Sequence, residues 1–272
     1  MPRGGAFLNQ SRFAACRLHL QKPKEFFYSF MNNLSTKTIK EIALENPATI
    51  RVFQEFKIDF CCGGKRLFDD ACRVAGVAPE TVSAKLEETF ENKSDADFVE
   101  NKTASELIDY IVEKHHAFTK SEVERLSVLT RKVCHRHGAS HNFLFALENS
   151  FRQLCEELLP HIQKEEVVLF PYIKRLEMSA ANNLTAPQPP FGTVNNPVRM
   201  MMFEHDAAGE ILRKMREITE DYALPEGGCM SFRALYNGLE ELEQDLHRHI
   251  HLENNALFPR AVELEKEVFA AI

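Results

Sequence analysis

Along most of this chain apolar residues recur at three- and four-residue intervals, the spacing of one face of an α-helix. No segment with the two-residue period of a strand competes from residue 31 onward. Over 31–90 the pattern predicts a small helical domain. STKTIKEIALENP places Ile39, Ile42 and Ala43 on one face and stops at Pro47. ATIRVFQEF follows as a second short helix, IDFCCGG is a turn, and RLFDDACRVAGV and PETVSAKLEETF complete the set, with Pro79 suited to a first helical position. Residues 91–101, ENKSDADFVEN, are polar and aperiodic and read as a linker.

Four long helices follow over 102–266. Thr103 and Glu106 have capping-box spacing and open a helix whose stripe includes Leu107, Tyr110, Ile111 and Phe118 and which ends near Gly138. The second is expected from about residue 142 to 178, the third over about 198–223 and the fourth over about 232–266, with Ser231 as its N-cap. SAANNLTAPQPPFGTVNNP, 179–197, is loop. The fold class is therefore all-α: a small N-terminal helical domain, then an antiparallel four-helix bundle. Pro171 and Pro259 fall where helices two and four should still be running, so each marks a kink or a helix end.

Composition narrows the function. The 272 residues are 44% hydrophobic and 27% charged, with a net charge of −7 that argues against a general nucleic-acid binder. No apolar run is long enough to span a membrane. Seven cysteines at irregular spacing suit reduced thiols, hence a cytoplasmic setting. Residues 1–30 form an extension, read as disordered or as a targeting segment. The first 24 hold three Arg and two Lys and no Asp or Glu, and organellar import is the lesser alternative.

The chain also repeats itself. Residues 161–171 are HIQKEEVVLFP and residues 249–259 are HIHLENNALFP, identical at six of the eleven positions. In both, a His stands four residues before a Glu, so imidazole and carboxylate share a helix face. His115 precedes His161 by 46 residues, and His205 precedes His249 by 44. Each long helix thus offers an inward donor or donor pair: His115; His161 with Glu165; His205; His249 with Glu253. Four imidazoles and two carboxylates suit iron, manganese or zinc, and open coordination positions favour iron. His116 is expected on another face, behind the donors or at the surface, and His247 and His251 are expected to be exposed. His137, near the end of helix one, could reach back as a fifth imidazole. Glu166 lies a further 100° around its helix and is less well placed than Glu165. Cys61 and Cys62, followed by Gly63-Gly64 and Lys65-Arg66, place two thiols on an open turn near positive charge, which favours the thiolate.

Together these pieces resemble the iron–sulfur cluster repair proteins, or repair of iron centres family. IDFCCGGK resembles that family's N-terminal motif. HIQKEE-x-x-LFP, EHDAAGE and HIHLENN-x-LFP resemble its hemerythrin-like bundle. The resemblance covers roughly 31–262. It implies a non-haem di-iron protein that restores Fe–S clusters damaged by nitric oxide or oxidants. Its iron ligands would be His115, His161, Glu165, His205, His249 and Glu253, with the glutamates as bridges. His137 matches a further histidine of the pattern, and Cys61 and Cys62 match its paired cysteines. Damaged Fe–S proteins as clients, NO or O₂ as small ligands and a homodimer come with the resemblance. An O₂ or NO sensor and a di-iron NO-reducing or oxidising enzyme are the competing readings. The cysteine pair favours repair over gas binding, and no flavin or nicotinamide motif supports the enzyme.

Overall fold

In the computed structural model of this protein the described residues are 31–46, 48–60, 64–91, 102–184, 186 and 188–270. The extension 1–30, residues 92–101 of the expected linker, and Cys61 and Cys62 lie outside them. The named elements among the described residues are all helical.

The small domain comprises α1 (Ile39–Glu45), α2 (Thr49–Glu55), α3 (Phe68–Ala75) and α4 (Pro79–Glu91). Thr38 caps α1: its hydroxyl accepts from the Glu41 amide at 3.2 Å, and the Glu41 carboxylate accepts from the Thr38 amide at 2.7 Å. α3 stops at Gly76, whose φ of 70° lies in the left-handed region that glycine enters without penalty. Ile39, Phe53, Phe60, Phe68 and Leu86 bury one face each in a common core.

The first long helix consists of α5 (Ala104–Tyr110), a π-helical turn π1 (Ile111–His116) and α6 (Ala117–His137). The expected capping box is present, with the Thr103 hydroxyl accepting from the Glu106 amide at 3.1 Å. The second consists of α7 (Phe143–Lys164), π2 (Glu165–Leu169) and α8 (Phe170–Ala181). The third is the uninterrupted α9 (Asn195–Thr219). The fourth consists of α10 (Met230–Leu252), π3 (Glu253–Leu257) and α11 (Phe258–Ala270). Cys229, extended at φ −77° and ψ 171°, is the N-cap residue of α10, so the helix starts earlier than the Ser231 cap would allow. The four form an antiparallel four-helix bundle, in which α9 packs on α7 and α10 on α6.

Neither Pro171 nor Pro259 ends its helix. A proline ring clashes with the carbonyl four residues back and supplies no N–H. In both helices a π turn precedes the proline, and the amides of Phe170 and Phe258 donate five residues back, to the carbonyls of Glu165 and Glu253. The wider turn carries the helix past the proline.

Two apolar clusters fill the bundle. One contains Leu107, Ile111, Leu169, Phe170, Met201, Leu257 and Phe258. The other contains Leu126, Leu154, Leu158, Ala208, Leu242 and Leu246. Between these two sets every long helix buries polar side chains, His115 and His116, His161 and Glu165, His205, and His249 and Glu253, which form a polar layer. The small domain docks on the fourth helix, where Ile250 joins its core. The Phe60 ring meets those of His247 and His251 at 5.9 and 5.8 Å, and Gln54 Nε2 donates to the Gln244 carbonyl at 3.0 Å. No described helix is long and apolar enough to cross a membrane.

Candidate metal centre

The polar layer holds two overlapping groups of potential metal donors: His116, Glu165, His249 and Glu253, and His161, Glu165, His205 and Glu253. Within each group the donor atoms lie within 4.8 Å of one another. None of the six residues is more than 4% exposed. The ring nitrogens meet in pairs: Nε2 of His116 and of His249 are 3.0 Å apart, and Nε2 of His205 and of His161 are also 3.0 Å apart. Each glutamate reaches both pairs. Glu165 places Oε1 3.4 Å from His161 Nε2 and Oε2 3.5 Å from His116 Nε2. Glu253 places Oε1 2.9 Å from His249 Nε2 and Oε2 3.2 Å from His205 Nε2.

The π turns produce this arrangement. In a regular helix the residue that shares the inward face of Ile111 is four positions on, His115. Across a π turn it is five positions on, His116. Glu165 and Glu253 each open a π turn directly after a regular turn, so the i, i+4 relation to His161 and His249 survives.

Three rings are oriented from outside the layer. His116 Nδ1 lies 2.8 Å from Glu166 Oε1, which also accepts from Lys120. His161 Nδ1 lies 2.8 Å from Glu204 Oε2, and Lys164 holds the other Glu204 oxygen. His205 Nδ1 lies 2.9 Å from Asn254 Oδ1. With Nδ1 as donor in each, Nε2 is the nitrogen left to face a cation inward, where the cation would take the place of its proton.

Electrostatics mark the layer as a cation site. Burial pulls His116 and His161 toward neutrality. The carboxylates of Glu165 and Glu253 outweigh it and push them up to about 10 and about 9, with the Glu204 hydrogen bond adding to His161. At His249 burial prevails over Glu253 and the imidazole is held below its ordinary value. Burial acts to raise both glutamates, and the Glu253 charge adds to it at Glu165, but the surrounding imidazoles hold Glu165 below, and Glu253 well below, the usual carboxylate value. Both Glu165 oxygens and Glu253 Oε2 are nevertheless buried without a hydrogen bond. Such atoms are costly unless positive charge meets them. Two cations, each facing two ring nitrogens and one oxygen from each glutamate, fit this donor set.

Compared with the sequence expectation, the structure brings His161, Glu165, His205, His249 and Glu253 together and sets His116, not His115, beside them. His115 turns away: its Nδ1 lies 3.0 and 3.1 Å from the Asp245 oxygens, and Tyr110 packs edge-on against its ring at 5.5 Å. One signal did favour His116. Measured from it, the two His-to-His spacings are 45 and 44 rather than 46 and 44. His137 does not reach back. It lies 21 residues beyond His116, roughly 30 Å along the helix, and its Nε2 is 3.1 Å from Cys229 Sγ. His251, expected at the surface, is buried beneath the small domain with its Nδ1 2.8 Å from Asn255 Nδ2. His247 is partly buried against Phe60. Sequence reading gave no role to Glu204 or Asn254 and set Glu166 aside, because nothing in helical spacing links them to a ring on another helix.

Residues 106–261 match the family described as the hemerythrin HHE cation binding domain, and residues 35–89 match one described as a domain of unknown function, DUF542. Among curated relatives, the iron–sulfur cluster repair protein YtfE of Pectobacterium atrosepticum is 33% identical over 226 residues, which is 83% of this chain and 96% of the relative. A probable iron–sulfur cluster repair protein of Haemophilus influenzae is 30% identical over 232 residues, 85% of this chain and 98% of the relative. YtfE of Yersinia pseudotuberculosis is 31% identical over 83% of this chain and 96% of its own length.

Proposed function

This chain belongs to the hemerythrin HHE cation-binding family and, within it, to the iron–sulfur cluster repair proteins, and from that premise we propose that it carries two non-haem iron ions and supplies iron to damaged Fe–S clusters. The observation that carries the reading is the double reach of each glutamate, one oxygen toward each pair of imidazoles. His116 and His249 would hold one ion, His161 and His205 the other, with Glu165 and Glu253 shared. Iron bound there supplies an exchangeable, redox-capable cation with coordination positions open to NO or O₂.

Six side chains serve two ions, and two carboxylates leave two divalent cations incompletely neutralised. Glu166 and Glu204 fix the rings of His116 and His161 from behind and increase their basicity. The apolar clusters on either side keep bulk water from the carboxylates. We assign Cys61 and Cys62, which follow Phe60 in the sequence, the part of receiving or relaying thiols. Damaged Fe–S proteins as clients, response to nitrosative and oxidative stress, a homodimer and a cytoplasmic location belong to the same reading.

The test is anaerobic incubation of the iron-loaded protein with a cluster-depleted [4Fe–4S] dehydratase, followed by separation of the two and iron analysis of each. Iron should leave this chain as dehydratase activity returns. Recovery with all iron retained would sink donation, and no recovery would sink the repair reading. A Cys61→Ala/Cys62→Ala variant that repairs as well as wild type would remove the thiols from the mechanism.

A further inference from the structure

The end of the bundle remote from the metal centre carries a nucleophile and a base on different helices. Cys229, exposed, sits at the start of α10. His137 closes α6, 92 positions earlier, and its Nε2 stands 3.1 Å from the Cys229 sulfur. The His137 ring is flanked by Phe232 at 5.5 Å and His141 at 6.4 Å, which fix its direction. An imidazole within hydrogen-bond reach of a thiol, oriented in turn by neighbours, is the arrangement that activates sulfur.

We propose that Cys229, with His137 as its proton partner, is a site of S-thiolation by low-molecular-weight disulfides. The thiolate attacks one sulfur of the disulfide, in line with the S–S bond. A new S–S bond to Cys229 forms as the old one breaks. The Cys229 sulfur is oxidised and the departing sulfur reduced. The proton that Cys229 yielded to His137 Nε2 passes to the departing thiolate, so charge and atoms balance.

The surroundings support the assignment. The Cys229 sulfur makes no capping hydrogen bond of its own, yet the backbone amides of Phe232, above all, and Ser231 face it and hold the thiol below its ordinary value. Lys132 adds to this. The other described cysteines differ. Burial pushes Cys72, Cys134 and Cys155 each up to about 11, where little thiolate exists at neutral pH. The pair shares no residue with the metal centre, so its chemistry requires no bound metal.

The full chain is incubated with glutathione disulfide, quenched in acid and mapped by peptide mass spectrometry, with a parallel iodoacetamide pH–rate profile for each cysteine peptide. Cys229 should form its mixed disulfide ahead of Cys72, Cys134 and Cys155, and its alkylation should persist to lower pH. His137→Asn should slow thiolation of Cys229 by roughly threefold or more near neutral pH and move its profile to higher pH. A Cys229 profile coincident with that of Cys155 in the wild-type protein overturns the proposal without any variant. An unchanged Cys229 profile in a folded His137→Asn protein overturns the role of the imidazole.

Discussion

His116 and His249 are 133 positions apart in the chain, yet their Nε2 atoms stand 3.0 Å apart in the buried layer. His115, one residue earlier, instead faces Asp245. The two neighbours should therefore fail differently. His116→Ala should lose metal relative to wild type, read by elemental analysis of the purified protein. His115→Ala should keep the wild-type content and instead lose roughly 1–3 kcal/mol of stability, because Asp245 loses its buried partner. Full metal content in His116→Ala, or depletion in His115→Ala, would return His115 to the centre.

Removal of metal should be costly for a related reason. Glu165 holds two buried oxygens without hydrogen bonds, close to the second carboxylate of Glu253. A cation that binds the folded state alone stabilises it by about 2.7 kcal/mol at a hundred times its dissociation constant. For a bundle of this size that corresponds to a rise in Tm of roughly 5–10 °C. Calorimetry of the anaerobic ferrous-loaded protein before and after chelation measures it, and coincident transitions would mean that the layer does not hold metal in the folded state.

Much of this arrangement could be read from the chain, and the departures at His115, Pro171 and Pro259 share one cause. The bundle followed from apolar periodicity, and His161, Glu165, His249 and Glu253 from a duplicated i, i+4 pattern that regular helical turns preserve. His115 stood as the donor on its 46-residue spacing to His161, with no π turn foreseen. A π insertion leaves no mark in the hydrophobic pattern and shifts the inward face by one residue. Two further insertions, π2 and π3, carry the helices past Pro171 and Pro259, which the sequence marks only as a kink or a helix end. His251 was misjudged because its cover comes from Phe60, almost two hundred residues away, and no local pattern carries such a contact.

That cover gives a third prediction. Ile250 lies on the bundle's fourth helix but is buried in the small domain's core with Ile39, Phe53 and Phe60. Ile250→Ala should destabilise by about 2–4 kcal/mol, and the loss should be local. Hydrogen exchange should accelerate over residues 39–60 and stay unchanged over α7 and α8. Equal acceleration throughout would mean that the domain and bundle unfold as a single unit.

The Lys57–Asp221 ion pair, at 2.6 Å, joins the same two parts through groups that titrate. Asp221 lies below its ordinary value of 3.8, chiefly through the hydrogen bond from Lys57, against a counter-pull from burial, with Arg216 helping. A carboxyl depressed in the folded state binds fewer protons there than in the unfolded chain, so its contribution is present above the ordinary value and is lost as pH falls through the folded one. Because both side chains are about half exposed, solvent screening limits the pair to roughly 0.5 kcal/mol, or about 1–2 °C in Tm. Asp221 adopts φ 61°, a left-handed conformation that Asn also tolerates, so Asp221→Asn removes the charge without straining the backbone. The difference in Tm between wild type and Asp221→Asn should be constant from pH 6 to 8, shrink below about pH 4, and fall with added salt. A difference that persists at pH 3 would assign the effect to packing of the turn rather than to the charge.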